Sequence, residues 1–339
     1  MMVNRKSITP NDATLRYYFY FMSERMKMFR RKCEGVKQKE WTKDPILRNY
    51  KFTNVYRATD RVSQYLIRNI IYKDLDQYSR EDVLLRILIF KIFNKPETWE
   101  YLSDKLSDPI TLKTYNPKEI GSLLTEYQRQ HPIFNNAYMM AGSHVSYNDF
   151  STKHDKWLTM VKREMIEKGL FRQILDADSL ETVYNLLSQC TFIGGFLAYQ
   201  YAIDFNYSPY LNFSENSFVK AGIGAIRGIK KCFISYGHDY EDAIKYISDH
   251  IETLSIQYHE QGFNPLEGHA PTLIDLQNCF CETDKYLRAK MPELKVGNVR
   301  IKQHYSVHSG SIHYMFPPKW GVKETLSYEP HKELTLFEV

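Results

Sequence analysis

The chain has 339 residues, more than the roughly 100–200 of a usual single-core domain, which points to one large domain or two intimately packed ones. Charged residues at 25% and hydrophobic residues at 43%, with a formal charge of +5, exclude a disordered or collagen-like chain. Aromatic residues make up 14%, including 26 Tyr; a Tyr-rich, mildly basic surface suits bases and phosphates, and a Tyr-rich core explains the same number equally well.

Read in chain order, residues 1–45 form an arm: residues 15–29 have a Tyr/Phe/Met-rich helical pattern, and the basic run Arg30, Arg31, Lys32 follows. No apolar h-region precedes it, so the N-terminus reads as mature protein. Val62, Tyr65, Leu66, Ile70 and Ile71 recur with helical spacing, and Asn54, Arg57, Asp60 and Arg61, at i, i+3, i+6 and i+7 of one helix, share a polar face that could meet a base or phosphate or form a buried salt-bridge network. Ser79 is placed to cap a helix over residues 83–93. This most apolar run contains Arg86 and Lys91 and is far shorter than the ~20 residues that span a bilayer. Pro117 opens and Pro132 closes a further helix. Trp157, Met160, Val161 and Met165 form one stripe that Gly169 closes, and Asp178 or Ser179 caps the next helix, to about Gln189.

Period-two alternation is scarce, so the fold reads as mainly α, with irregular connections at 207–225 and 260–272. Residues 296–314 are β-branched, His- and Tyr-rich, which suggests a hairpin or an extended tail. The expected division is an arm (1–45), a helical body (46–295) and a C-terminal extension (296–339). Five scattered cysteines fit a reducing, cytoplasmic compartment.

The most informative stretch is residues 187–198. A helix-hairpin-helix DNA-binding element has an apolar residue, a Gly-hydrophobic-Gly hairpin and an Ala four residues after the second Gly. Leu187, Ile193, Gly194 and Ala198 fit it, with Phe192 at the first Gly position and Gly195 adjoining. Glycines let such a hairpin turn tightly and present backbone N–H groups to a phosphate. In glycosylases built on this element a catalytic carboxylate lies about 16–18 residues beyond the Ala, and Glu215 is the one carboxylate in that window, with Asn216 beside it. It could act at an anomeric carbon or serve only as a cap or salt-bridge partner. The usual residue there is Asp.

Downstream, residues 220–231 hold Lys220, Gly222, Gly224, Arg227, Gly228, Lys230 and Lys231 with no acidic residue. The spacing is neither a dinucleotide fingerprint nor a P-loop; it reads as a phosphate nest or as glycines that let helices pack closely. No metal site is expected: Cys279 and Cys281 lack a second pair, and His304, His308 and His313 read as surface or hairpin residues. No cofactor is expected.

Seven blocks occur in a shared order. They are residues 52–63 (Phe-Thr-Asn-Val-Tyr-Arg-Ala-Thr-Asp-Arg-Val-Ser), 86–94 with Thr98-Trp99, 132–138 (Pro-Ile-Phe-Asn-Asn-Ala-Tyr), 195–200 with Asp204 and Tyr207, 213–215 (Phe-Ser-Glu), 222–228, and 276–286 (Leu-Gln-Asn-Cys-Phe-Cys-Glu-Thr-Asp-Lys-Tyr). In this order they resemble the helical domain of 5-hydroxymethyl-deoxyuridine DNA kinases, also called the alpha-glutamyl/putrescinyl thymine pyrophosphorylase family, over about residues 50–320. The resemblance implies a helix-hairpin-helix, DNA glycosylase-like fold acting on 5-modified pyrimidines in double-stranded DNA, in phage hypermodification or anti-phage defence. Kinase members carry a separate P-loop domain; Gly-x-x-x-x-Gly-Lys-Ser/Thr is absent here, so phosphorylation by this chain alone is not expected.

On that reading Glu215 is the catalytic candidate, with Asp204 in reserve. Gly194, Gly195, Lys220, Gly222, Gly224, Arg227, Lys230 and Lys231 would hold phosphates. A base pocket would draw on Asn54, Tyr56, Arg57, Asp60, Arg61, Tyr138, Tyr199, Gln200, Asn216, Glu282, Asp284 and Lys285, the tyrosines stacking on a flipped base. No lysine stands at the hairpin position that a Schiff-base mechanism would use, which favours a monofunctional enzyme. The alternatives are a transferase that displaces pyrophosphate from an activated 5-hydroxymethyl base, and a non-catalytic DNA-binding module. A separate kinase or hydroxymethylase would be the partner, and no membrane is involved.

Overall fold

A computed structural model describes residues 7–135, 140–259, 262–294, 303–306 and 310–330. A short strand, β1 (Ile8–Pro10), precedes α1 (Asp12–Cys33), longer at both ends than the expected 15–29, and α2 (Pro45–Asn49) follows. After α3 (Arg61–Tyr65) and its π-helical continuation Leu66–Ile71 come α4 (Arg80–Phe93), α5 (Pro96–Lys105) and α6 (Pro117–Gln128). Next are α7 (Lys153–Met160), α8 (Leu170–Leu175), α9 (Leu180–Ser188), α10 (Gly195–Asn206) and α11 (Ile223–Cys232). The chain proceeds through β2 (Phe233–Tyr236), α12 (Tyr240–Tyr258), α13 (Leu273–Lys290), β3 (Ile312–His313) and β4 (Ser327–Tyr328). The fold is mainly α, as the scarcity of period-two pattern implied.

Local chemistry explains the boundaries. Ser79 accepts from the Asp82 N–H while the Asp82 carboxylate accepts from the Ser79 N–H, a capping box that starts α4. Ser179, not Asp178, caps α9. Gly169 takes a left-handed φ of +62°, which ends the Trp157 stripe and starts α8. One expectation fails: residues 54–61 are not a helix. A 3₁₀ turn at Arg57–Thr59 precedes Asp60, which has extended φ/ψ, and helical winding begins at Arg61, so Asn54, Arg57 and Asp60 do not share a helix face. The reason is local, since the Asp60 carboxylate accepts the Asn54 N–H and closes a loop instead. Most of 296–314 lies outside the described residues or has no strand; among the described residues Ile312 and His313 pair with Tyr328 and Ser327, and His304 bridges Tyr50 antiparallel.

The chain forms two compact units, Met1–Arg61 with Val219–Val339, and Val62–Phe218. In the first, α1 packs on α11, α12 and α13. Tyr18 lies 4.3 Å from Phe280 between ring centroids and donates its hydroxyl to the Leu276 carbonyl. β1 and β2 pair antiparallel beside them. Much of the 14% aromatic content is therefore core: Tyr18, Phe19, Phe21, Tyr56 and Tyr286 are all buried here. The segment after α13 returns to α1: Arg30 holds Glu324 through both carboxylate oxygens at 2.6 and 3.0 Å.

In the second unit α4 is apolar on all sides and buried over residues 83–93, so it serves as the central helix on which α5, α8 and α10 pack. Burial of that many aliphatic side chains, at roughly 1.5–3 kcal/mol each, is the main favourable term for this unit.

Candidate functional site

The seven sequence blocks sort into two groups, one in each unit. In the second unit, the blocks at 86–94, 132–138, 195–207 and 213–215 meet through side chains. Lys91, 2% exposed, places Nζ 3.4 Å from Asp204 Oδ2 and donates to Asn94 Oδ1 at 2.8 Å. Asn135 donates its side-chain N–H to the Asn94 carbonyl and its backbone N–H to the Phe93 carbonyl, tying the third block to the end of α4. Asp204 is wholly buried on α10, one turn after Gln200. A buried carboxylate and ammonium paired in this way serve as an internal brace, since removing either leaves the other without its partner in a poorly solvated place.

Asn206, at the end of the same helix, clasps the loop that follows. Its amide donates to the Phe213 carbonyl and accepts the Phe213 N–H, both at 3.0 Å. Two residues later the chain makes a turn closed by the Ser217 N–H on the Ser214 carbonyl at 3.1 Å. Within this turn Ser214, Asn216 and Ser217 are exposed, and Glu215 alone is turned inward at 7% exposure. A carboxylate held inward at the tip of an otherwise exposed turn, on a loop fastened from the preceding helix, is positioned rather than incidental.

That helix starts at a six-residue connection from α9, residues 189–194. Leu187, Ile193 and Ala198, the apolar positions of the motif, are buried, and Gly194 is the N-cap of α10, a residue with no side chain of its own to give a cap hydrogen bond. Phe192 has φ +72°, the left-handed conformation for which a glycine is ordinarily used. Its ring explains why it is tolerated: it stacks at 5.5 Å on Trp157 and lies 5.2 Å from Tyr147. Glu164 fixes the same turn, accepting the Thr191 N–H at 2.8 Å and the Tyr147 hydroxyl, and these bonds hold its carboxyl below the usual range against its partial burial.

In the first unit the blocks at 52–63, 222–228 and 276–286 meet. Asp275 accepts the Arg57 N–H at 2.7 Å, Glu282 accepts the Thr53 N–H, and Asn278 donates to Thr53 Oγ1. Arg25, which sequence reasoning missed because it lies in the arm, donates to Asn54 Oδ1 at 2.8 Å and to the Thr53 carbonyl. Burial pushes the Asp60 and Asp275 carboxyls up to about 6, against the hydrogen bonds that favour their charged forms. Burial also lowers Arg25. Lys285 is spent on Glu282 at 2.8 Å.

Several expected roles change on this geometry. Tyr56 and Tyr199 are 1% and 0% exposed; the first bonds to the His269 carbonyl and the second contacts Phe218, so neither offers a ring face for stacking. Tyr138 lies outside the described residues. The 220–231 segment is not a loop nest. Gly222 caps α11, and a Cβ on Gly224 would meet Cys281 Sγ at 2.2 Å while one on Gly228 would meet the Phe280 carbonyl at 2.1 Å, so these two glycines let α11 lie against α13. Lys220 pairs with Glu241, Lys230 lies over the Tyr240 ring, and Arg227 and Lys231 turn to Asp284. Arg61 opens α3, and Gln200 is buried. Among the described residues no three His, Cys, Asp or Glu side chains are grouped to hold a metal ion, and no helix is long and apolar enough to cross a membrane.

Comparison with known proteins shows the family to which the chain belongs. Residues 12–296 match the family described as "5-hmdU DNA kinase, helical domain", and the chain belongs to it. A relative from Bacillus phage SP10, a protein named 5-hmdU DNA kinase, is 24% identical over 328 residues, which is 88% of this chain and 49% of the relative. The chain thus spans about half the length of that curated relative. No solved structure matches it.

Proposed function

We propose that this chain acts on DNA carrying 5-modified pyrimidines, hydroxymethyl-derived or glycosylated, and cleaves the N-glycosidic bond of a base turned out of the duplex. The observation that carries the reading is Glu215: a carboxylate turned inward from an exposed turn, on a loop clasped by Asn206, downstream of a helix–turn–helix whose second helix is capped by Gly194. In this reaction the C1′–N bond breaks and the electron pair leaves with the base, which takes a proton from solvent, while water adds to C1′ and gives up a proton, either to Glu215 or, where Glu215 only stabilises the cationic sugar, to solvent. The products are the free modified base and an abasic site. Turning the base out costs a few kcal/mol of unstacking, least where the base is modified or weakly paired.

A second reading is favoured by the name of the phage relative, which places 5-hydroxymethyl-deoxyuridine among that protein's substrates. Here the DNA and the base are the same, but the chemistry moves to the 5-methylene carbon, where an amine or amino acid displaces pyrophosphate supplied by a separate kinase acting after a hydroxymethylase. One experiment separates the two. Duplexes carrying thymine, 5-hydroxymethyluracil, its pyrophosphorylated form or glucosylated 5-hydroxymethylcytosine are incubated with the chain, with and without amines, and strand and supernatant are weighed by mass spectrometry. Free modified base and alkali-labile strands support cleavage; a strand that gains the amine and releases pyrophosphate supports transfer. Neither product from any duplex contradicts both and leaves a DNA-binding module.

A further inference from the structure

Two cations are buried on α4, and only one of them has an ion partner. Lys91 meets Asp204 and Asn94. Arg86, on the same helix and 8% exposed, pairs with no carboxylate among the described residues. Its guanidinium carbon lies 4.0 Å from the ring centre of Tyr78 and 5.1 Å from that of Trp99, and Phe90 meets Trp99 edge to face. One N–H, from Nη1, reaches the Ile110 carbonyl at 3.5 Å, beyond the usual range of such a bond. Nε is buried with no partner. The acids nearby are engaged elsewhere or open to water: Asp82 accepts the Ser79 N–H and hydroxyl on Oδ2 and the Leu112 N–H on Oδ1, and Asp74 is exposed. Burial pulls the guanidinium below its ordinary value against the attraction of Tyr78, Asp82 and Asp74, yet an arginine stays charged at physiological pH. Aromatic faces replace only part of the hydration that a buried charge gives up, so this charge is compensated only in part.

The geometry also leaves a way in. Nη2 has no protein partner either and, unlike Nε, is not enclosed. We propose that Arg86 anchors a phosphate-binding site in the Val62–Phe218 unit: the phosphate oxygen is received at Nη2, while Tyr78 and Trp99 hold the guanidinium plane. A planar fork fixed in this way matches phosphate geometry as a mobile ammonium does not. Phosphate is the oxyanion that both readings of function supply, as strand backbone or as pyrophosphate. That choice of ligand rests on the DNA reading above; the partly compensated guanidinium does not, nor does the site depend on the role given to Glu215.

The test uses the full chain with its Arg86→Met and Arg86→Lys variants. Melting temperature is followed against inorganic phosphate and pyrophosphate, with chloride at matched ionic strength as the control, and affinity for an unmodified duplex is measured as salt is raised. For a free phosphate ligand, the wild type should show a saturable rise in melting temperature that Arg86→Met shifts to at least tenfold higher concentration, with the salt dependence of duplex binding the same in both. For a backbone phosphate, Arg86→Met should instead lower the slope of log affinity against log salt by about one. Without any phosphate Arg86→Met should melt no lower than the wild type, because a buried charge with no ion partner has gone. Arg86→Lys keeps the charge and loses the fork, so its responses should fall between the two; if Arg86→Met does not fold, this variant carries the comparison. None of these readouts is base release or amine transfer, so failure here and failure of the functional reading are separable. An Arg86→Met protein that keeps both the phosphate rise and the salt slope overturns the proposal. So does a wild type whose phosphate response equals that of chloride and whose slope matches the variant's.

Discussion

Lys91 and Asp204 show how burial decides what a charged residue is for. Both are almost fully enclosed, so the pair is a brace whose two halves need each other. Lys91→Met leaves the Asp204 carboxylate without its ammonium and should lower stability by about 3–5 kcal/mol in chemical denaturation, and adding Asp204→Asn should recover a large part of the loss. His269 gives a second prediction. Its ring stacks on Trp320 at 4.0 Å, and burial depresses it to about 4 from the ordinary 6.5. Between those values the unfolded chain binds the proton and the folded chain does not, so stability falls as pH drops from about 6.5 toward 4. Asp60 and Asp275, raised to about 6, act in the opposite sense, since the folded chain takes up their protons first. Comparison with His269→Gln isolates the histidine: the melting temperature of the wild type relative to this variant should decline between pH 7.5 and 5. The spacing from Ala198 singles out Glu215 in the sequence, and the structure adds that its side chain is buried. Asn206 and Arg25 are not singled out, since a clasp and a long-range donor leave no periodic trace.

Helix boundaries were the readable part of the elements. Ser79, Pro117, Gly169 and Ser179 act through their immediate neighbours, and the structure places each at the helix end its chemistry dictates. Residues 54–61 were misread because helical spacing says nothing of a carboxylate that folds back on the Asn54 N–H. The α9–α10 connection is the informative case between these. The motif called for glycine at 192, and the backbone does adopt the glycine conformation there, with an aromatic ring as compensation. Phe192→Gly would relieve about 1–2 kcal/mol of left-handed strain and forfeit roughly 3–5 kcal/mol of ring packing. The variant should therefore be less stable by about 2–3 kcal/mol; a more stable variant would mean that the ring contributes little to holding the turn. The glycines of α11 carry the opposite lesson. Their spacing fitted a phosphate nest and a helix contact equally, and only the presence of α13 against Gly224 and Gly228 decides between them.

At the scale of the molecule, the order of blocks along the chain is deceptive. Residues 52–61 join residues 222–286 in one unit, while the four intervening blocks assemble in the other, and nothing in composition marks the crossing. The +5 net charge is likewise a poor guide to local electrostatics, since Lys220, Lys231 and Lys285 all pair with carboxylates. What survives from the sequence is the family and the helical class, and the role of the Glu215 carboxylate is a proposal. The measurement that tests that carboxylate most directly is single-turnover release of base from a duplex containing one 5-hydroxymethyl-derived or glucosylated pyrimidine, comparing wild type with Glu215→Gln and recording duplex affinity alongside. Release of the modified base but not of thymine, slowed by about 10²–10³-fold in Glu215→Gln with affinity unchanged, is the predicted result. Equal rates for the two proteins would contradict the account.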